Sequence, residues 1–164
     1  MTDEELTNLV EQLGRALQAR DWRLVVAESC TGGWVAKVLT DIAGSSSWFE
    51  RGFVTYSDAA KQELLDVRAA TLKDFGAVSE QTAREMAVGA LAHGPAEVAL
   101  AITGIAGPGG GSPDKPVGLV WFAWARRSGA LRVAHQQFNG DRAAVRRQAV
   151  VVALQGALRV LSDA

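Results

Sequence analysis

Two polar turns and one lysine hold most of the chemistry this chain can offer. Glu28-Ser29-Cys30-Thr31-Gly32-Gly33 follows a short apolar run and leads into a helical pattern. Ser29, Thr31, Gly32 and Gly33 thereby set hydroxyls and amides at a helix N-terminus, a natural place for an anion or a carbonyl oxygen. Taken alone, the same residues read first as ordinary helix caps. A second apolar run empties into Gly104-Ile105-Ala106-Gly107-Pro108-Gly109-Gly110-Gly111-Ser112. Its glycines let the backbone approach a ligand closely, and successive amides can cradle a phosphate. No Gly-Lys-Ser/Thr closes it, so it is not a Walker loop, and by composition alone it is a Gly-Pro connection between strands.

Histidine is the usual base for acyl transfer, but the chain has only His93 and His135, neither with an acid or nucleophile close in sequence. Both read as solvent-facing. Nucleophilic chemistry is thus turned toward a Ser-Lys pair. Lys61 is the best candidate base, one turn into a helix that Ser57 caps, where the helix dipole penalises the ammonium form. By itself it reads as a solvated surface lysine. Ser57 is spent as the cap, which leaves the Ser45-Ser46-Ser47 connection, otherwise a plain exposed turn. Cys30 reads as a small buried hydrophobe. No His-Glu-x-x-His, cysteine pair or dense carboxylate cluster marks a metal site, and Asp58, Asp141 and Glu28 read as caps and surface charges.

These residues must be positioned by a chain of 164 residues, the length of one domain, with 48% apolar residues to form a core. Its 17 basic and 18 acidic residues nearly cancel, giving no broad electrostatic claim on nucleic acid or anionic membranes. A small-molecule partner fits better. The apolar runs are too short to span a bilayer and the N-terminus is acidic where a signal peptide is basic, so a cytoplasmic location is expected. One cysteine forbids an intramolecular disulfide. Small α/β enzymes often pair as homodimers, which is a base rate that the residues leave open.

Thr2-Asp3-Glu4-Glu5 is a capping box, followed by Leu6, Leu9, Val10, Leu13 and Leu17 at helical spacing. Residues 23–27 predict a strand, Trp34 to Ile42 a helix, and Phe49 to Tyr56 a second strand. Ser57 and Ser79 open further helices, and a short one between them ends at Gly76. Val98 to Thr103 is continuously apolar, as in a strand buried on both faces. Residues 117–125 and 131–138 read as an antiparallel pair turned at Arg127-Ser128-Gly129. A final helix starts after Asn139-Gly140-Asp141. The order predicts a single α/β domain over residues 1–164, a three-layer α/β/α sandwich with a mixed central sheet.

Several of these segments together resemble the CinA C-terminal domain family, the nicotinamide mononucleotide amidohydrolases. They are Ala27 to Gly33; Gly44-Ser45-Ser46 with Gly52 to Ser57 and Lys61; Gly76 to Ser79; and Thr103 to Gly110 with Lys115-Pro116-Val117-Gly118. The resemblance covers nearly the whole chain. It implies hydrolysis of nicotinamide mononucleotide to nicotinate mononucleotide and ammonia, without metal or organic cofactor. It further implies Ser46 as nucleophile, Lys61 as base, and Tyr56 close enough to orient one of them. Ser29, Thr31, Gly32, Gly33, Thr103, Gly104, Ala106, Gly107 and Gly109 would line the nucleotide site. Arg142 would lower the lysine's proton affinity or hold substrate. Asp58 departs from the asparagine common at that position. Two other readings stand beside this one, a non-catalytic nucleotide-binding module and a metal-dependent nucleotide phosphohydrolase.

Overall fold

The structure, a computed structural model, describes residues 1–163. Among these residues five strands form one sheet in the order β2-β1-β3-β4-β5. They are β1 (Leu24–Glu28), β2 (Phe49–Val54), β3 (Val98–Gly104), β4 (Leu119–Arg126) and β5 (Leu131–Gln137). β1 pairs in parallel with both β2 and β3, whereas β4 and β5 run antiparallel, so the sheet is mixed as the sequence predicts. The three parallel strands bring Ser29, Thr55 and Gly104 to the same edge of the sheet, because Glu28 lies opposite both Val54 and Ile102.

Helices α1 (Asp3–Ala19), α2 (Trp34–Thr40) and α6 (Arg142–Ser162) pack on one face, and α3 (Asp58–Leu65), α4 (Ala69–Phe75) and α5 (Glu80–Ala92) lie on the other. Alternation along β3 separates the two cores. Val98, Leu100 and Ile102 join the leucines of α1 and α6, while Ala99 and Ala101 face Ala83, Ala87 and Ala90 of α5. Small residues on both surfaces draw α5 close to the sheet. Gly89 then brings α5 against α3, since a Cβ there would sit 1.8 Å from the Leu65 carbonyl oxygen. On the other face Gly156 of α6 accepts the Trp124 ring, whose indole donates to the Ala153 carbonyl at 2.9 Å. The expected capping box is formed by Thr2 and Glu5, and Ser57, Ser79 and Asp141 cap α3, α5 and α6.

The second strand is shorter than expected. It ends at Val54, and Thr55 and Tyr56 turn their carbonyls toward α3.

Candidate active site

Lys61 is among the largest fully buried side chains, 1% exposed, and not the solvated residue that the sequence alone suggests. Ser57 caps α3 through the Ala60 amide at 3.0 Å, which places position 61 one turn in, facing the sheet edge. The Nζ atom lies 2.8 Å from the Thr55 carbonyl, 3.3 Å from the Tyr56 carbonyl and 2.9 Å from Ser29 Oγ. Burial lowers its proton affinity below the ordinary lysine value, and the nearby Asp58 carboxylate partly opposes that effect. The lowering comes from desolvation, with no neighbouring cation contributing to it.

The serine that Lys61 meets is therefore Ser29, and the pairing of Lys61 with Ser46 is corrected. Ser46 lies in the 3₁₀ turn Ser45–Ser47 before β2, whereas Lys61 reaches the residues after its other end. At about 3.3 Å per residue the intervening strand separates them by roughly 20 Å. Ser46 is exposed and its carbonyl accepts from Arg23, while Ser45 is buried and Ser47 bonds to Gln18 and Gly44. The signal that separates the serines is topological. Ser29 stands beyond the carboxyl end of a parallel strand, where α/β sheets collect ligands, and Ser46 stands at the opposite end.

The turn after Ser29 is held tightly. Thr31 is fully buried and its hydroxyl donates to Glu28 at 2.7 Å, so that hydroxyl is engaged within the turn and only the backbone of Thr31 is left for a ligand. The Gly32 amide closes back on the Ser29 carbonyl at 3.0 Å. Gly33 is the cap residue of α2 with φ +97°, a backbone state that suits glycine. Among the described residues the amides of Thr31 and Gly33 donate to no protein acceptor, and that of Cys30 meets only its own thiol. Cys30 is buried and its thiol is pushed up to about 12 by desolvation, which leaves it the inert hydrophobe the sequence suggests.

Thr103 is likewise turned inward, 1% exposed, and donates to the Ala77 carbonyl at 2.8 Å, so its hydroxyl supports the start of α5 and not a ligand. Gly104 packs against β4, where a Cβ would lie 2.9 Å from the Leu119 carbonyl. Ala106 and Gly107 are buried at the root of the Gly-rich loop, and Gly109 stands in open space at its exposed part. Arg142 ties this root to the site, donating to the Gly107 carbonyl at 2.8 Å and to the Tyr56 hydroxyl at 3.1 Å. Tyr56 is mostly exposed. It touches Lys61 through its carbonyl, and its ring reaches Arg142. Ser29, Lys61, Tyr56, Arg142 and the turn of Cys30 to Gly33 thus form one neighbourhood, with Ser46 outside it. No group of three or more His, Cys, Asp or Glu among the described residues is arranged to hold a metal ion.

A family model, the CinA C-terminal domain, matches residues 6–161. A nicotinamide-nucleotide amidohydrolase PncC of Escherichia coli (strain K12) is 60% identical over 155 residues, 94% of this chain and 94% of that protein. Its counterpart in Enterobacter agglomerans is 57% identical over 159 residues, 97% of each chain. Among solved structures, the competence/damage inducible protein CihA from Agrobacterium tumefaciens superposes with a TM-score of 0.93 at 44% identity, covering 96% of both chains.

Proposed function

The chain belongs to the CinA C-terminal domain family, and from that premise we propose that it hydrolyses the carboxamide of nicotinamide mononucleotide, with Ser29 as nucleophile and Lys61 as its base. The nucleotide and the amide bond come from the relatives that match over nearly their whole length. The observation that carries the residue assignment is the buried Lys61 amine 2.9 Å from the Ser29 hydroxyl.

Burial of Nζ favours the neutral amine that such a base requires. Two of its neighbours, the Thr55 and Tyr56 carbonyls, can only accept hydrogen bonds. An ammonium donates to both carbonyls and to Ser29 Oγ, whereas the neutral amine keeps two N–H groups for the carbonyls and can turn its lone pair to the Ser29 hydroxyl, the arrangement in which it acts as a base. Lys61 takes the serine proton as Oγ attacks the carboxamide carbon, and the free amides of the Cys30 to Gly33 turn receive the oxyanion. When the tetrahedral adduct collapses, the C–N bond breaks and Lys61 returns the proton to the leaving nitrogen, releasing ammonia. Water then attacks the nicotinyl ester with the same lysine as base, and serine is regenerated. Gly104, Gly107, Gly109 and Arg142 are the groups proposed to hold the rest of the nucleotide. Arg142 fixes the loop root beside Tyr56, so the Gly-rich segment and the nucleophile are presented together.

The test is ammonia release from nicotinamide mononucleotide by the wild type, Ser29→Ala and Ser46→Ala, each with and without a chelator. Ser29→Ala is expected to lose turnover by about 10³-fold or more, as removal of a nucleophile does. Ser46→Ala is expected to stay within about twofold, the behaviour of a surface change. The wild-type rate is expected to survive chelation. Full activity in Ser29→Ala would refute the nucleophile, and binding without turnover by the wild type would leave a nucleotide-binding module.

A further inference from the structure

Glu28 precedes the nucleophile and points to the opposite face of the sheet, where it is 1% exposed. Its carboxylate accepts three hydrogen bonds and donates none. Oε1 takes the Thr31 hydroxyl at 2.7 Å and the Val35 amide at 2.9 Å, and Oε2 takes the Ala36 amide at 3.0 Å. Among the described residues no basic side chain forms an ion pair with it. A charged group buried this deeply without a cation is expensive, and hydrogen bonds to amides at a helix start are what make it tolerable.

The need for it lies in the cap. Gly33 begins α2 without a side chain to satisfy the first amides, so Glu28 satisfies them from across the strand end. The same carboxylate fixes Thr31, so the turn between nucleophile and helix is pinned at both its middle and its end. Arg146 holds the other side of the turn, donating to the Cys30 and Thr31 carbonyls at 3.1 Å each. Because a trans peptide sets its N–H opposite its C=O, the Thr31 amide is thereby aimed away from Arg146.

We propose that Glu28 is a positioning residue for the reaction: by clamping Thr31 and the first turn of α2 it holds the free amides after Ser29 as a preformed oxyanion hole. This inference rests on Ser29 being the nucleophile. An oxyanion hole works only if its donors need no rearrangement when charge develops, which is what a rigid turn supplies. Glutamine in the same volume must turn an amide N–H toward either the Val35 or the Ala36 amide, so Glu28→Gln unsettles the turn while leaving Ser29 and Lys61 in place.

The experiment compares two ligands of the full chain. One is the product, nicotinate mononucleotide. The other is the substrate analogue with an aldehyde in place of the carboxamide. Ser29 Oγ adds to the aldehyde carbon, its proton passes to Lys61, and the resulting alkoxide occupies the hole. Glu28→Gln is expected to lower kcat by about 100-fold, the effect of impairing an oxyanion donor, with KM within about threefold. Affinity for the aldehyde should fall by a similar factor and affinity for the product should hold. Thr31→Val, which removes one of the three donors, is expected to lower kcat about tenfold in the same pattern and decides the matter if Glu28→Gln does not fold. Turnover within threefold of wild type, or equal losses for product and aldehyde, would overturn the positioning role alone. A wild type that binds the aldehyde no more tightly than Ser29→Ala does would remove the nucleophile, and this inference with it.

Discussion

Lys61 is pulled in two directions by its surroundings. Burial disfavours its ammonium form, while the Asp58 carboxylate at the start of the same helix favours it. In the proposed reaction only the neutral amine can take a proton from Ser29, so turnover should fall as pH drops through the lowered lysine value. Removing the opposing carboxylate must lower that value further. Asp58→Asn is therefore expected to shift the acid limb of the kcat profile to lower pH, as read from ammonia release across the pH range. An unshifted limb would mean that another group titrates there. The contribution of Asp58 here is electrostatic. The lysine's role was legible as a possibility from helix position and the scarcity of histidine. Its burial was not, because a lysine among polar neighbours carries no local sign of the carbonyls that will surround it. For the same reason the sequence does not show which serine Lys61 meets: Ser29 and Ser46 both sit in short polar turns, and only the direction of the strands tells them apart.

At the scale of elements, the position of that lysine depends on how closely α3 and α5 pack. Gly89 allows the Leu65 carbonyl, at the end of α3, to lie where a Cβ would be. Gly89→Ala improves helix propensity by about 1 kcal/mol, but overpacking a close contact costs about 1–3 kcal/mol. Here the clash is with backbone, which cannot rotate away. The expected outcome is a lower unfolding midpoint together with a fall in kcat, since α3 must move and Lys61 moves with it. Thermal unfolding and ammonia release on the same preparation check both. A stabilised, fully active variant would show that α3 has slack. Apolar runs, caps and turn residues made nearly every element legible beforehand, including the strand buried on both faces. The glycine contact that locks α3 to α5 was not, because α5 reads as an ordinary amphipathic helix and its partner is known only once the layers are assembled.

For the whole molecule, the buried amine couples folding to pH. In the unfolded chain Lys61 titrates near its ordinary value of 10.5, and in the folded chain it titrates lower. Between those two values the unfolded state binds the extra proton, so stability must rise with pH across that window. Below the window both states are protonated and the folded protein bears the full penalty of a buried ammonium; above 10.5 both are neutral and the penalty is gone. Lys61→Met keeps a flexible chain of similar length in the same space and removes the charge. The variant is expected to be inactive yet more resistant to heat than the wild type below the window, with the difference in unfolding midpoint shrinking as pH rises toward 10.5. Midpoints of the two proteins measured at matched pH values test this directly. A constant difference would place the titrating group elsewhere. A wild type more stable than the variant at low pH would mean that the ammonium is welcome in the fold, held by the Thr55 and Tyr56 carbonyls. Lys61 would then be a structural cation, and a base for Ser29 would have to be sought among other groups.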